Sequence, residues 1–146
     1  LASPNDIDTF RKTGQRRDLN REKFEANKLH DLLKNFDSSA SKNISYLRHV
    51  IKVRSRLRAF HPEAYMKCIS TNLDNCVILQ RGLDEEKVYV ISNMSDKHLI
   101  IPLLKELDLF PLSSNKRLID NITGSHLNSD TFELNPYQVV WLTLTE

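Results

Sequence analysis

Val88-Tyr89-Val90-Ile91 is the stretch on which the reading of this chain turns. Four consecutive apolar residues leave neither face of a strand polar, so the run belongs at the centre of a sheet. Leu83-Asp84-Glu85-Glu86, just ahead of it, reads as a turn whose acidic side chains are solvated. Outward from this centre, short β-rich runs with a period near two recur between turn residues, at 65–70, 76–81, 87–93, 98–102, 116–120, 131–134 and 138–143. Seven short strands packed so closely favour an antiparallel sandwich or barrel.

On the N-terminal side of His61-Pro62 the period lengthens to that of a helix. Ile44, Leu47, Val50, Ile51 and Leu57 recur at three- and four-residue steps, with Arg48, Lys52 and Arg56 on the other side. This predicts a helix from near Ser41, closed at His61 because proline disfavours helical backbone in the residue before it. Asp37-Ser38-Ser39-Ala40-Ser41 separates it from an earlier helix over 21–36, in which Phe24, Leu29, Leu32, Leu33 and Phe36 can share a face. Asn20 is the expected N-cap there, with Glu22 and Glu25 near the positive end of the dipole. Residues 1–21 show no apolar period and read as a loop or arm. The expected class is α+β, with two N-terminal helices over 1–61 followed by an all-β antiparallel, sandwich-like domain over 62–146.

Composition removes several functions. The chain has 146 residues, room for one ordinary domain or for a helical segment joined to a small second one. Glycine occurs only 3 times, so glycine-rich phosphate loops have almost no material. No run approaches the roughly 18 apolar residues of a membrane span, and Leu1-Ala2-Ser3-Pro4-Asn5-Asp6 is not a signal peptide, so a soluble, cytoplasmic protein without a membrane partner is expected. The first residue is not methionine and the opening resembles a loop entered midway, so a preceding segment is expected. Cys68 and Cys76 are too few for a disulfide framework and are expected to be buried thiols. The histidines at 30, 49, 61, 98 and 126 lack metal-ligand spacing, and no metal is expected. Charge is unevenly divided: residues 1–60 carry 14 Lys/Arg and 7 Asp/Glu (net +7), and 61–146 carry 7 and 12 (net −5), which sums to +2. Each half is suited to a different partner, or to the other half.

The arginine-rich helix, with Arg48, Lys52, Arg54, Arg56 and Arg58, has the charge to follow a phosphate backbone. Apolar residues interleave with these charges at core spacing and no aromatic platform accompanies them, so a solvated helix face is favoured over nucleic-acid binding. Asp6 with Asp8, or Asp84-Glu85-Glu86, has no spacing that marks a pair of catalytic carboxylates. No Ser/His/Asp or Cys/His set stands out. The opening loop is the remaining candidate, because Arg11, Lys12, Arg16, Arg17 and Arg21 alternate with Asn5, Asp6, Thr13, Asp18 and Asn20. Arginine forks set among carboxylates and amides suit sugar hydroxyls or phosphate, and on chemistry alone a solvated loop is an equal reading.

Three motifs carry a family resemblance. Ser3-Pro4-Asn5-Asp6, Arg11-Lys12-Thr13-Gly14 and Arg17-Asp18-Leu19-Asn20-Arg21 resemble the loop and helix after the eighth barrel strand in the sucrose phosphorylase subfamily of the α-amylase-type glycoside hydrolases. Arg54-Ser55-Arg56-Leu57-Arg58-Ala59-Phe60-His61-Pro62 resembles the last barrel helix and the junction that follows it. Leu118-Ile119-Asp120 and Leu134-Asn135-Pro136-Tyr137-Gln138-Val139-Val140-Trp141-Leu142 resemble the closing strands of that family's C-terminal β domain. The resemblance spans nearly the whole chain and marks it as the C-terminal portion of a glycoside phosphorylase, with two helices from the end of a (β/α)₈ barrel.

What the resemblance implies is a retaining double displacement. A carboxylate attacks the anomeric carbon of an α-glucoside such as sucrose, phosphorylated sucrose or a glucosylated glycerate, and inorganic phosphate then releases α-glucose 1-phosphate. The catalytic carboxylates of the family lie ahead of the first residue here, so no catalytic residue is assigned and the chain alone is expected to be inactive. Phosphate is a co-substrate and no cofactor is implied. Arg17 matches the arginine that reaches the glucosyl unit in the donor subsite, and Asn5, Asp6 and Arg21 are implied only as supports of the loop. The expected partners are the remainder of the barrel and, through it, the sugar. Phe24, Leu32, Ile44, Val50 and Leu57 would otherwise leave apolar surface unpaired, which favours self-association. The competing reading is a stand-alone β-sandwich that binds carbohydrate or another protein.

Overall fold

The computed structural model describes residues 5–20, 24–107, 117–127 and 131–145. Ser3, Pro4 and Arg21 lie outside the described residues, as does Lys116 at the head of one expected strand. The chain divides into two compact units, residues 1–50 and 51–146, and the division falls inside a helix rather than at the change of period near Pro62.

The first unit is helical. Its opening, expected as loop, contains two short helices, α1 (Ile7–Thr13) and α2 (Arg16–Leu19). Neither is built on an apolar stripe, which is why the periodicity does not reveal them. They are instead fixed by their ends: the Asp6 carboxylate caps α1, and Gly14 closes it at φ 68 in the left-handed conformation, which glycine adopts without a Cβ penalty. Asn20 lies at the end of α2 and does not start the next helix; α3 (Ala26–Lys34) begins later than expected, after Glu25. In α3, Leu29, Leu32 and Leu33 are half-buried, whereas Phe36 lies past its end and is 82% exposed. The long helix α4 (Ser39–Arg56) starts at the expected serine cluster, where the Ser41 N–H donates to the Ser38 hydroxyl at 3.1 Å.

The second unit is the β domain. After α4 a 3-10 turn, Arg58–Phe60, leads into the strands. A six-stranded sheet runs in the order β1 (Met66–Ile69), β2 (Cys76–Arg81), β3 (Val88–Asn93), β8 (Val139–Thr145), β5 (Arg117–Asp120), β6 (His126–Leu127). A two-stranded sheet pairs β4 (Leu99–Pro102) with β7 (Thr131–Leu134), and a short helix α5 (Leu103–Glu106) follows β4. Every pairing is antiparallel. The α+β class expected from the sequence holds, and the seven expected strands are all present; β6 and α5 are additions.

Strand β3 is central, as its apolar run requires. The register aligns Ile78 with Ile91 and Ile91 with Val140, so a row of fully buried side chains crosses three strands. Ile101 and Leu134 of the small sheet belong to the same core cluster, which therefore lies between the two sheets. The opposite face of the large sheet carries the row Cys68, Leu79, Val90 and Trp141. There Trp141 meets Phe60, ring centroids 4.5 Å apart and tilted by 46°.

Buried polar groups at the strand ends are paired. Asn93, 1% exposed, donates to the carbonyls of Lys97 and Asn135 at 2.7 and 2.9 Å and accepts from the Ser95 amide and hydroxyl, tying the end of β3 to two neighbouring turns. Asp120 at the end of β5 plays the corresponding part for Ile122, Thr123 and Trp141.

Candidate functional site

The Arg17 loop folds as a helical hairpin with its own internal bonds. The Asp6 carboxylate accepts from the Thr9 N–H at 2.9 Å, and the Asp6 N–H donates to the Leu19 carbonyl at 2.8 Å, so one residue both starts α1 and holds the end of α2 beside it. At the turn between the helices, the Gly14 N–H donates to the Phe10 carbonyl at 2.8 Å and the Asp18 N–H to the Gln15 carbonyl at 2.9 Å. The Thr13 hydroxyl donates to Asp18 Oδ2 at 2.7 Å. Asp18 is 8% exposed and is the buried residue of α2, while Arg17 beside it is exposed. Asn5 is exposed, and its carbonyl accepts from the Ile7 N–H at 3.1 Å. Of the residues singled out from the sequence, Arg17, Asn5 and Asp6 therefore share one small element. Thr13 and Asp18 stand in the sequence among the polar partners of the loop arginines, but they bond to each other across the Gly14 turn, which the sequence reading did not foresee. The visible signal was a hydroxyl and a carboxylate on either side of a glycine.

The other candidates are not brought together. Asp8 is exposed and pairs with Arg11 at 3.9 Å, a contact with negligible effect in water. Asp84–Glu86 forms an exposed 3-10 turn, and Glu86 meets Arg58 at 3.4 Å on the surface, which fits solvated acidic groups and not a carboxylate pair set for catalysis. A hollow of about 500 Å³ lies beside Arg58, Tyr65, Gly82 and this turn. His98, just ahead of β4, pairs with Glu133 of β7 at 3.0 Å. Among the described residues no three His, Cys, Asp or Glu side chains are grouped to hold a metal ion, and no helix is long and apolar enough to cross a membrane.

The cysteine expectation needs correcting. Cys68 is exposed, because β1 is an edge strand whose residue at that position projects from the outer sheet face. Cys76 is half-buried, and burial, followed by the nearby Glu106 carboxylate, raises its thiol above the ordinary 9.0.

Exposed large apolar side chains occur on both units, and on α4 three of them fall close together. Leu47 is 53% and Ile51 55% exposed, one turn apart on α4, with Tyr46 at 59% beside them. The residues expected to be left open, Phe24, Leu32, Ile44, Val50 and Leu57, are half-buried, whereas Leu47 and Ile51 of the same expected apolar face of α4 are the open ones.

This architecture, helices followed by an antiparallel β domain, is shared with part of two solved glycosidases. The α-amylase of Anoxybacillus superposes with a TM-score of 0.54 at 16% identity, covering 75% of this chain and 24% of that one. The trehalose-6-phosphate hydrolase of Bacillus licheniformis gives 0.53 at 17% identity, covering 80% and 20%. No family model matches the sequence. In sequence the chain is similar to the glucosylglycerate phosphorylase of Allomeiothermus silvanus, 29% identical over 142 residues, which is 97% of this chain and 22% of that protein. The chain thus spans about a fifth of the curated relative it matches. The resemblance read from the motifs, to a portion of a glycoside phosphorylase of the α-amylase type, is borne out by this likeness and by the shared fold.

Proposed function

We propose that this chain supplies the Arg17 hairpin, two barrel helices and the C-terminal β domain to an enzyme that phosphorolyses an α-glucoside, sucrose or glucosylglycerate, to α-glucose 1-phosphate. The observation that carries the reading is the likeness to a phosphorylase over 97% of the chain, a span that includes the hairpin. In the proposed reaction a carboxylate from outside this chain attacks the anomeric carbon as the glycosidic oxygen leaves with a proton from a carboxylic acid. A phosphate oxygen then displaces the carboxylate, with retention at carbon. Arg17 holds hydroxyls of the glucosyl unit, for which the fixed fork of a guanidinium is suited. Asn5, Asp6 and Arg21 keep the hairpin in shape. The exposed Leu47 and Ile51 stripe is covered by the rest of the barrel, and a chain without that cover pairs with a second copy. Phosphorolysis draws on inorganic phosphate, and the cytoplasm is the compartment that goes with it.

The test is a graft. The chain replaces the matching 142 residues of the Allomeiothermus silvanus phosphorylase, and the chimera is supplied with phosphate and either sucrose or glucosylglycerate. Release of α-glucose 1-phosphate is expected, and Arg17→Ala should lower it by about a hundredfold, the scale of one lost charge-assisted contact in the transition state. The chain alone should release none. A chimera that folds, elutes like its parent and yields no sugar phosphate from either donor overturns the reading.

A further inference from the structure

We infer that Thr13 and Asp18 are positioning residues for Arg17, and that their hydrogen bond presets the direction in which the guanidinium is offered. The inference rests on the reading of Arg17 as the glucosyl-binding arginine. Helix α2 has 4 residues, far below the length at which a helix holds itself in water, so its orientation has to come from contacts with something else. Within the hairpin two such contacts are the Asp6 N–H to the Leu19 carbonyl at one end and Thr13 to Asp18 at the other.

The two ends are not equivalent. The Asp6 bond holds backbone to backbone and fixes where α2 stops. The Thr13 bond holds a side chain of α2 itself and so fixes the rotation of α2 about its axis. Successive residues of a helix are about 100° apart. With Asp18 drawn inward, Arg17 is turned away from the hairpin interior, in keeping with the burial of the one and the exposure of the other. The Thr13 hydroxyl also lies 3.0 Å from the Thr9 carbonyl, and its single proton serves one acceptor at a time. The carboxylate at 2.7 Å is both nearer and charged, and it takes that proton. The same hydroxyl accepts from the Gln15 N–H at 3.3 Å, which carries the clamp into the turn.

A binding arginine has four rotatable side-chain bonds, and ordering them opposes every contact that it makes. An element that is already oriented before the sugar arrives removes the backbone share of that cost. Asp18 thus acts through Arg17 and does not touch the sugar.

The experiment uses the full chain without substrate. Amide hydrogen exchange over residues 16–19 and the relaxation of Arg17 Nε are measured by NMR in wild type, Thr13→Val and Thr13→Ser. Valine keeps the shape and removes the hydroxyl; serine keeps the hydroxyl. Exchange over 16–19 should quicken about tenfold in Thr13→Val, the effect of one lost bond to a charged acceptor, with a lower order parameter at Arg17 Nε. Thr13→Ser should stay within about twofold of wild type, and amides of β3 and β8 should be unchanged in both. Asp18→Leu, which removes the acceptor, should reproduce the valine effect. Valine or leucine variants that exchange like wild type, or a serine variant that behaves like valine, overturn the assignment. Because no sugar is present, these results are independent of the graft assay: an inactive chimera leaves the clamp standing, and an absent clamp leaves phosphorolysis standing.

Discussion

Replacing Asp120 by asparagine removes one charge and one acceptor from a side chain of the β domain that accepts four hydrogen bonds. Asp120 is 2% exposed. Its Oδ1 accepts from the Ile122 N–H at 3.1 Å and the Trp141 N–H at 3.0 Å, and its Oδ2 from the Thr123 N–H at 3.3 Å and the Thr123 hydroxyl at 2.7 Å. In Asp120→Asn the amide oxygen keeps the first pair, and the new NH₂ faces the second. The Thr123 hydroxyl can turn and accept, but the Thr123 N–H has nothing to donate to. Losing that long bond and turning the other three charge-assisted bonds into neutral ones costs about 0.8 kcal/mol each, so the substitution should destabilise the domain by about 3 kcal/mol. The chain has 1 tryptophan, Trp141, whose own N–H is one of the four donors, so its fluorescence follows this site without labelling. With a urea slope near 1.5 kcal/mol/M for a domain of this size, the unfolding midpoint should fall by about 2 M. A fall below about 0.5 M would mean that water satisfies these donors nearly as well in the variant, and the account of Asp120 as the lock on β5 and β8 would fail.

Gly82 has φ +73, and a Cβ there would lie 2.7 Å from the Glu86 carbonyl oxygen and 3.1 Å from the Ala59 Cβ, so Gly82→Ala should cost about 2–3 kcal/mol and lower the melting midpoint by about 10 °C in a calorimetric scan. At pH 8, iodoacetamide should alkylate Cys68 well before Cys76, read by peptide mass spectrometry, because Cys68 is exposed while burial and then Glu106 hold the Cys76 thiol protonated. A folded value raised above 9.0 also means that Cys76 stabilises the fold below pH 9.0 and that this contribution is lost as the pH rises through the raised value; wild type should therefore lose stability above pH 9.0 faster than Cys76→Ala in urea titrations. The chain should self-associate in sedimentation velocity, and Leu47→Glu with Ile51→Glu should return it to monomer, since both lie on the exposed stripe of α4.

The sequence was most legible where one periodicity had to satisfy one core. Strand β2 over Cys76–Arg81 and strand β7 over Thr131–Leu134 have the expected limits, and Val88-Tyr89-Val90-Ile91 is central because an all-apolar run tolerates no wet face. Strand β6, with 2 residues, is too short to show any period. Helices α1 and α2 escaped for a different reason: Asp6, Gly14, Thr13 and Asp18 hold them by their ends, and end-holding leaves no stripe to count. Asp6, of a residue type that favours the N-cap position, was the signal that could have been used. Cys68 shows the limit of residue type as a guide, since a thiol is buried only if its strand position is, and edge position is a property of sheet order. The exposure of Arg17 followed from its type; the inward turn of Asp18 did not, because a carboxylate is ordinarily exposed unless something donates to it.

The contrast between the two kinds of holding bears on what the chain can do. The β domain closes its own core: Ile78, Ile91, Ile101, Leu134, Val140 and Leu142 are each at 0% exposure, and Asn93 and Asp120 meet their donors and acceptors internally. Helix α4 does not, because Leu47 and Ile51 stay more than half exposed on an element long enough to have buried them. Exposed apolar side chains one turn apart on a helix are suited to a further contact, which under the proposed function the rest of the barrel provides. The Arg17 hairpin falls between the two: it is held internally by Asp6 and Asp18, yet the residue it presents points to solvent. Glycosyl transfer needs two carboxyl groups across the reacting bond, and the described residues bring no such pair beside Arg17. Under the proposed function Arg17 is a binding group contributed to a larger enzyme, and the graft experiment asks whether the rest of a phosphorylase can use it.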